Sequence, residues 1–559
     1  MVSEDVVRAP GLRLPHALIA GASALIGAIA LVFLPATAAA AGAADLLRQL
    51  QAGAGVPASE QNAEDLALLA RFYDERQMRP LWITDHAATE RGVALAAILE
   101  AADQDGLDPE DYGASAIAAL LDSTDVDDLA KLELRLSLGL IRFVSDLASG
   151  RLEPSKVNPE LFVHPQDVDH AEVIRAAADA KDIAAFVARF PPAQDEYRRL
   201  KAALADFRAR AAQTDWATVP DGSTLDPGTT DPRVALLRAR LRASGDLEEA
   251  RLATAASRAP ELYDDGLQAA VMRFQERHGL TPDGRVGPKT IAALNVPIER
   301  RIQQMVLNLE RRRWMPDDRG ARYVFVNLAD FELKVVEEPK TVLDTRVVVG
   351  APYRRTPVFS ANMTYVEINP YWNVPNSIAR NELLPKIKED PGYLAANNFE
   401  LLSDWGDGAA ALDPWKVEWS EITPETFVHR LRQGPGEGNA LGRIKFMFPN
   451  QFNVYLHDTP ARHLFQESER SFSHGCIRVH QPESFGAVVL ARDGWSLDRI
   501  YAAIKSGDRM IVTLKEPLPV HIAYLTAWVN KDGTVHFRND VYGRDAILAE
   551  ALLGPGALD

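Results

Sequence analysis

Cys476 is the one cysteine in 559 residues. A lone thiol closes no internal disulfide, so the chain has no disulfide framework, and this thiol is either inert packing or chemistry. Positive charge is also outweighed, with 61 Lys and Arg against 78 Asp and Glu. The formal net charge is −17 and no long basic run occurs, which makes nucleic acid a poor partner. No second cysteine and no His-x-x-x-His pair accompanies the histidines near the thiol, so no metal site is read there. No cofactor is read either. Long apolar runs are missing everywhere except at the N-terminus. The remaining composition, 47% hydrophobic and 25% charged, is that of an ordinary globular protein.

The N-terminal exception runs from Ala17 to Leu34, with Arg8 and Arg13 before it and Pro35 and an alanine-rich stretch, Ala36-Thr37-Ala38-Ala39-Ala40-Ala41, after it. Residues 1–41 therefore read as an export signal with small-residue cleavage options. Glu4 and Asp5 depart from that pattern by cancelling the charge of the leading segment. The run of about 18 residues is just long enough to span a bilayer, which makes an uncleaved membrane anchor the alternative. Either way the bulk of the chain is expected outside the cytoplasm. A single thiol in an oxidising compartment fits a reserved reactive group better than a cross-link.

The length fits about two to four domains, and the fold class is expected to be α+β multidomain. Residues 42–218 read as a helical scaffold domain broken by Gly, Pro and Asp, with an apolar-rich stretch at Leu134, Leu136, Leu138, Leu140, Ile141 and Val144. Tyr73, Pro80 and Trp82 read as an aromatic cluster. Residues 219–232, dense in Pro, Gly, Ser, Thr and Asp, read as a linker. In 233–297 three helices are expected: one ending near Gly245, one capped by Asp264 or Asp265 and stopped at Gly279, and one opening at Gly287-Pro288. A connector helix is expected within 298–320, with Arg311-Arg312-Arg313 as a solvated or dipole-favoured end.

The pattern changes at 321. Tyr323–Leu328, Leu333–Val336, Arg346–Val349, Met363–Ile368 and Asn453–Leu456 read as strands of a mainly-β domain over 321–516. Residues 517–559 read as a C-terminal β extension, with Val520–Leu525 and Val535–Phe537 as a hairpin. Between them an insertion at about 377–440, too long for a simple loop, reads as an active-site lid. Trp405, Trp415 and Trp419 could equally be the small core of the insertion itself.

The chemistry concentrates in Ser473-His474-Gly475-Cys476-Ile477-Arg478, with His457 19 residues upstream in Tyr455-Leu456-His457-Asp458. Gly475 lets the backbone approach a substrate. Two histidines and an arginine are expected to lower the thiol pKa and favour the thiolate. These are the needs of a cysteine nucleophile with a histidine base. His457 is read as the base, with His474 as its competitor. The group orienting His457 is left open, because Asp458, its sequence neighbour, points the other way on an extended chain.

The Tyr-Leu-His and Ser-His-Gly-Cys-hydrophobic-Arg pair resembles the signature of the L,D-transpeptidases, cysteine enzymes that cross-link peptidoglycan. Phe274-Gln275, Asp283-Gly284, Val286-Gly287 and Thr290 resemble a peptidoglycan-binding module, and the Tyr73, Pro80 and Trp82 segment resembles the scaffold of the large Gram-negative members. The resemblance implies a catalytic domain that takes peptidoglycan stem peptides as donor and acceptor. Cys476 would form a thioester with release of D-alanine, and a second stem would then form a 3-3 cross-link. It implies a periplasmic location and inhibition by carbapenem β-lactams. Oxyanion and substrate contacts are expected from Gly475, Cys476, Tyr455, Ser473, His474 and Arg478, and from Trp372 in a segment resembling a strand that lines the family's cleft. Water as acceptor would make an L,D-carboxypeptidase, and a protein amine would attach outer-membrane proteins to the wall. A wall-binding scaffold without catalysis is the non-enzymatic alternative. The intact thiol and base weigh against it.

Overall fold

The computed structural model describes residues 60–213, 216–247, 259–406 and 408–557, together with Leu46. The N-terminal run read as an export signal or anchor lies outside the described residues. Among those described, no helix is long and apolar enough to cross a membrane.

The scaffold is built on the helix Val126–Ser149, whose N-terminus is capped by the Asp125 carboxylate accepting from the Asp127 and Asp128 amides. That satisfies donors a helix start otherwise leaves orphaned. Its leucines are buried, and so is Glu133. Glu133 is fully partnered: it accepts from the Tyr73 hydroxyl at 2.6 Å and from the Trp82 amide at 2.8 Å, while the Trp82 indole donates to Ser137 at 2.9 Å. The aromatic cluster is thus packed around a buried carboxylate held by hydrogen bonds.

The helical module follows the sequence reading. Asp264 caps the helix Asp265–Arg277 by accepting from the Leu267 amide, and the flanking helices span Arg233–Ala243 and Pro288–Leu294. The segment read as a linker differs. Val219 and Leu225 are buried in the module's core, the Val219 amide and carbonyl both bond the Asn295 side chain, and Leu225 bridges Val286. Two apolar residues are enough to fold this polar stretch down onto the module.

Among the described residues the main sheet of the β domain has ten strands and closes on itself. Strand Met510–Ala523 pairs in parallel with Arg322–Asn327 and antiparallel with Val358–Ile368. This corrects the C-terminal boundary: 516/517 falls inside a strand that shuts the sheet. The hairpin is Ala527–Val529 with Val535–Phe537, and the chain ends in a helix, Arg544–Leu553. The scaffold also reaches this sheet, because Leu161–Phe162 adds a parallel strand beside Val358–Phe359.

The connector helix Ile298–Arg313 carries the second correction. Its arginine triplet is buried, not solvated. Arg311 pairs with Asp545 of the C-terminal helix. Arg313 lies 3.1 Å from Glu310 and donates to the Tyr197 hydroxyl at 2.7 Å. Glu310 also accepts from the amides of Arg151 and Leu152. Three parts of the chain converge there, which no local pattern announces. Removing one partner of a buried pair typically costs about 3–5 kcal/mol. Arg313→Met should therefore lower the denaturation midpoint strongly, and adding Glu310→Met, which also strands the Arg151 and Leu152 amides, should lower it further rather than restore it. Equilibrium unfolding in denaturant checks the order of the two.

The lid folds separately. Trp372–Asn373, Arg430–Gln433, Phe399–Leu402 and Ala411–Leu412 form its own sheet. Its core gathers Val374, Leu383, Leu384, Ile387, Leu394, Trp419, Phe427 and Leu431, a cluster distinct from the catalytic core. Trp419 is buried in that core, while Trp405 and Trp415 are exposed.

Candidate active site

Strand pairing assembles the site. Leu456–His457 pairs in parallel with Ile477–Val479, matching Leu456 with Ile477 and His457 with Arg478. On its other side it pairs with Ile444–Met447, matching Lys445 with His457. Side chains alternate along a strand and share a face with their cross-strand partners. Leu456, Ile477, Val479, Ile444 and Phe446 therefore bury into the core, and His457, Arg478 and Lys445 occupy the opposite face. Tyr455 and Cys476, two residues before His457 and Arg478, join them there. The Tyr455 and His457 rings are 5.6 Å apart, and the Lys445 ammonium lies 4.1 Å from the Tyr455 ring. Lys445 was not singled out in the sequence. The signal was present as the polar position within Ile444-Lys445-Phe446.

The thiol is set by two loops. Cys476 Sγ donates to the Asn453 carbonyl at 3.7 Å, where Asn453 takes a left-handed conformation at φ 54°. Asn450 fixes that loop by accepting from the Phe452 and Val454 amides. On the other side, Ser473 Oγ donates to the Cys476 carbonyl and accepts from the Gly475 amide at 3.2 Å. Ser473 therefore shapes the turn. Its acceptance of the Gly475 N–H leaves the Cys476 N–H and the Tyr455 hydroxyl as the candidate oxyanion donors. Gly475 has φ +108°, a conformation side chains rarely adopt. Its carbonyl accepts from Thr356 Oγ1 at 2.8 Å. Thr356 Oγ1 in turn accepts from the Gly350 amide at 3.0 Å, and the Gly350 carbonyl accepts from the Tyr542 hydroxyl at 2.6 Å. The C-terminal segment thus supports the turn that carries Cys476.

His457 Nδ1 bonds the backbone carbonyl of Asp458. A carbonyl only accepts, so Nδ1 carries the proton and Nε2 is left with its lone pair. The Asp458 carboxylate is engaged elsewhere, accepting from the Arg443 and Thr459 amides and from Arg462. His474 Nε2 is 2.6 Å from Glu382 of the lid. Arg478 contributes charge beside the thiol. Trp372 packs near Phe399, with ring centroids 6.1 Å apart, in the lid's own sheet, so the structure groups it with the lid core rather than with the thiol face.

The electrostatics reverse one expectation. Burial pushes the Cys476 thiol up, and hydrogen bonds from Tyr455 with the charges of Lys445 and Arg478 only partly offset it. Burial, followed by the Arg478 charge, holds the His457 imidazole down at about 3. The resting pair is a neutral thiol and a neutral imidazole, not a thiolate beside imidazolium. Desolvation of an ion outweighs two partly buried cations.

Residues 321–512 match the L,D-transpeptidase catalytic domain, 230–294 a peptidoglycan-binding domain and 67–204 a scaffold domain. The chain is a multidomain protein carrying an L,D-transpeptidase catalytic domain. A curated Haemophilus influenzae protein, assigned by name to the L,D-transpeptidases, is 34% identical over 243 residues, covering 44% of this chain and 48% of that protein. The chain thus spans about half the length of the curated relative it matches. A solved L,D-transpeptidase from Xylanimonas cellulosilytica aligns at 16% identity over 54% of this chain and 98% of its own, with a TM-score of 0.17. One from Stackebrandtia nassauensis aligns at 14% over 57% and 99%, with a TM-score of 0.19.

The raised thiol and depressed imidazole fix a pH profile. Thiolate forms only as pH climbs through the raised thiol pKa, so alkylation of Cys476 by iodoacetamide should still rise about tenfold per unit near the ordinary cysteine value of about 8.5. Lys445→Met removes a cation that favours thiolate and should slow alkylation at any fixed pH in that range. Mass spectrometry of the alkylated protein checks both, and a plateau below pH 8 would contradict the neutral resting pair.

Proposed function

We propose that the protein is an extracytoplasmic L,D-transpeptidase acting on peptidoglycan stem peptides, and that Cys476 is its nucleophile and His457 its base. The observation that carries this reading is the shared sheet face: a buried histidine with Nδ1 pinned and Nε2 open, one strand from a lone thiol. In the first half-reaction the thiol proton passes to His457 Nε2 as Sγ bonds the carbonyl carbon of the diaminopimelate L-centre. The oxyanion takes hydrogen bonds from the Cys476 N–H and the Tyr455 hydroxyl. Collapse breaks the C–N bond, and the D-alanine amine leaves with the proton from His457. The thioester is then attacked by the side-chain amine of a second stem. His457 accepts that amine's proton and returns it to the departing sulfur. The product is a 3-3 cross-link with free thiol restored.

Neutral resting groups suit this cycle. No ion must be stripped of a partner before attack, and the proton moves only as charge develops. Arg478 and Lys445 supply positive charge on the face where the carboxylates of a stem peptide would lie. The lid would cover the acyl-enzyme and exclude water. The periplasm is the compartment that matches this substrate.

Incubation with purified muropeptides, followed by mass analysis, separates cross-link, hydrolysis and no reaction. Cross-linked dimers and a thioester mass on the wild-type protein are expected. Cys476→Ala should lose both while remaining folded, and His457→Ala should lose about 10²–10⁴-fold in rate. A carbapenem should add its mass to the wild type and not to Cys476→Ala. Turnover by the alanine variant would overturn the assignment.

A further inference from the structure

The lid and the thiol turn meet at one carboxylate. Glu382 Oε1 lies 2.6 Å from His474 Nε2 and 2.9 Å from Arg354 Nη1. These partners sit on the two sides of the turn. His474 precedes Gly475, whereas Arg354 lies in the 350–356 segment, whose Thr356 holds the Gly475 carbonyl. We propose that Glu382 is a positioning residue that ties closure of the lid to the aim of the nucleophile. It grips His474, and through His474 it holds the 473–476 turn.

Three observations support this. First, Glu382 is placed by an irregularity: Ala379–Leu383 is a π-helical turn between Asn376–Ile378 and Leu384–Glu389. Pro385 lacks the N–H that would bond the carbonyl four residues back. The extra residue rotates Glu382 out of ordinary α register, and such turns commonly re-aim side chains at functional sites. Second, the flanking Ala379 and Leu383 are buried in the lid core, so Glu382 moves with the lid as a body. Third, the lid's hydrophobic core is separate from that of the catalytic sheet. Its root is fixed by Asn439, whose side chain donates to the Pro370 carbonyl at 3.1 Å. Beyond that root, and among the described residues, side-chain hydrogen bonds from the lid to the catalytic core run through Glu382.

The inference rests on the acyl-transfer reading, so its test includes a readout that needs no activity. Hydrogen exchange is measured on wild type, Glu382→Ala and Glu382→Gln for peptides spanning 376–396, 471–479 and, as a reference, 324–336. Glu382→Ala should speed exchange in the first two and leave the third unchanged, and Glu382→Gln should lie between. Acylation of Cys476 by a carbapenem should slow by up to about thirtyfold in Glu382→Ala, the most that two part-exposed ion pairs can supply. Alkylation by iodoacetamide, which needs no such alignment, should hold. Adding His474→Ala to Glu382→Ala should cost little more. Unchanged exchange at 471–479, equal slowing of acylation and alkylation, or additive effects of the two substitutions would each overturn the proposal. Absence of carbapenem adduct on the wild type would count against the acyl-transfer reading instead, and the exchange result would still decide the role of Glu382.

Discussion

The pairing of Leu456–His457 with Ile477–Val479 is the constraint on which the site depends. Side chains alternate with a period of two, so a slip of one residue would turn His457 and Arg478 into the core and push Leu456 and Ile477 out. The fully buried Leu456, Ile477 and Val479 therefore hold the register, and the register holds the chemistry. Other devices refine the result. The Asn450 loop presents an acceptor to the thiol, Ser473 shapes the turn, and Thr356 with Tyr542 anchors it from the far end of the chain. Hydrophobic packing chooses which residues share a face, and hydrogen bonds set where on that face they lie.

That arrangement explains the neutral resting pair. A strand face beside a packed core is poorly hydrated, and each charged form loses water it cannot fully replace. Lys445 and Arg478 lower the thiol against this penalty, but the same cations repel a proton from His457. One charge pattern thus acts in opposite senses on the two groups. Imidazolium is disfavoured until the sulfur becomes anionic, or until an oxyanion develops nearby. The Asp458 carbonyl settles which nitrogen keeps its lone pair, because it can only accept. A backbone group suffices for that orientation, and the Asp458 carboxylate is free to brace Arg443 and Arg462 instead.

Contiguous features were legible in the sequence. The thiol motif, the upstream histidine, the Asp264 cap and the alternating strands each declare themselves within a few residues, and each has a local physical cause. What was not legible comes from distant chain. Arg311-Arg312-Arg313 looks like a solvated helix end, and becomes buried because Asp545, Tyr197 and the 151–152 backbone converge on that end of the helix. The polar segment at 219–232 looks like a spacer until Val219 and Leu225 find the module's core. The strand Met510–Ala523 closes the sheet through partners more than a hundred residues away. The thiol's pKa was misjudged for a related reason. Neighbouring cations can be read from sequence, whereas the burial that outweighs them is a property of the assembled sheet.

Glu382 belongs to the same class, 92 residues from His474 in sequence. Its energetics argue for a reversible contact. His474, Arg354 and Glu382 are each about a third exposed, and such ion pairs are worth about 0–1 kcal/mol apiece. A pair of them biases a lid by at most about thirtyfold between closed and open positions, using about 1.4 kcal/mol for each factor of ten. That bias keeps the lid closed most of the time yet lets it open on thermal energy. A buried, well-packed lid contact would be far harder to break, and a bulky polymeric substrate would then have no way in. The separate lid core fits the same proposal, because the lid's packing does not depend on the core of the β domain. An exposed carboxylate on a self-contained lid therefore provides contact weak enough to release the substrate and specific enough to aim the thiol when the lid returns.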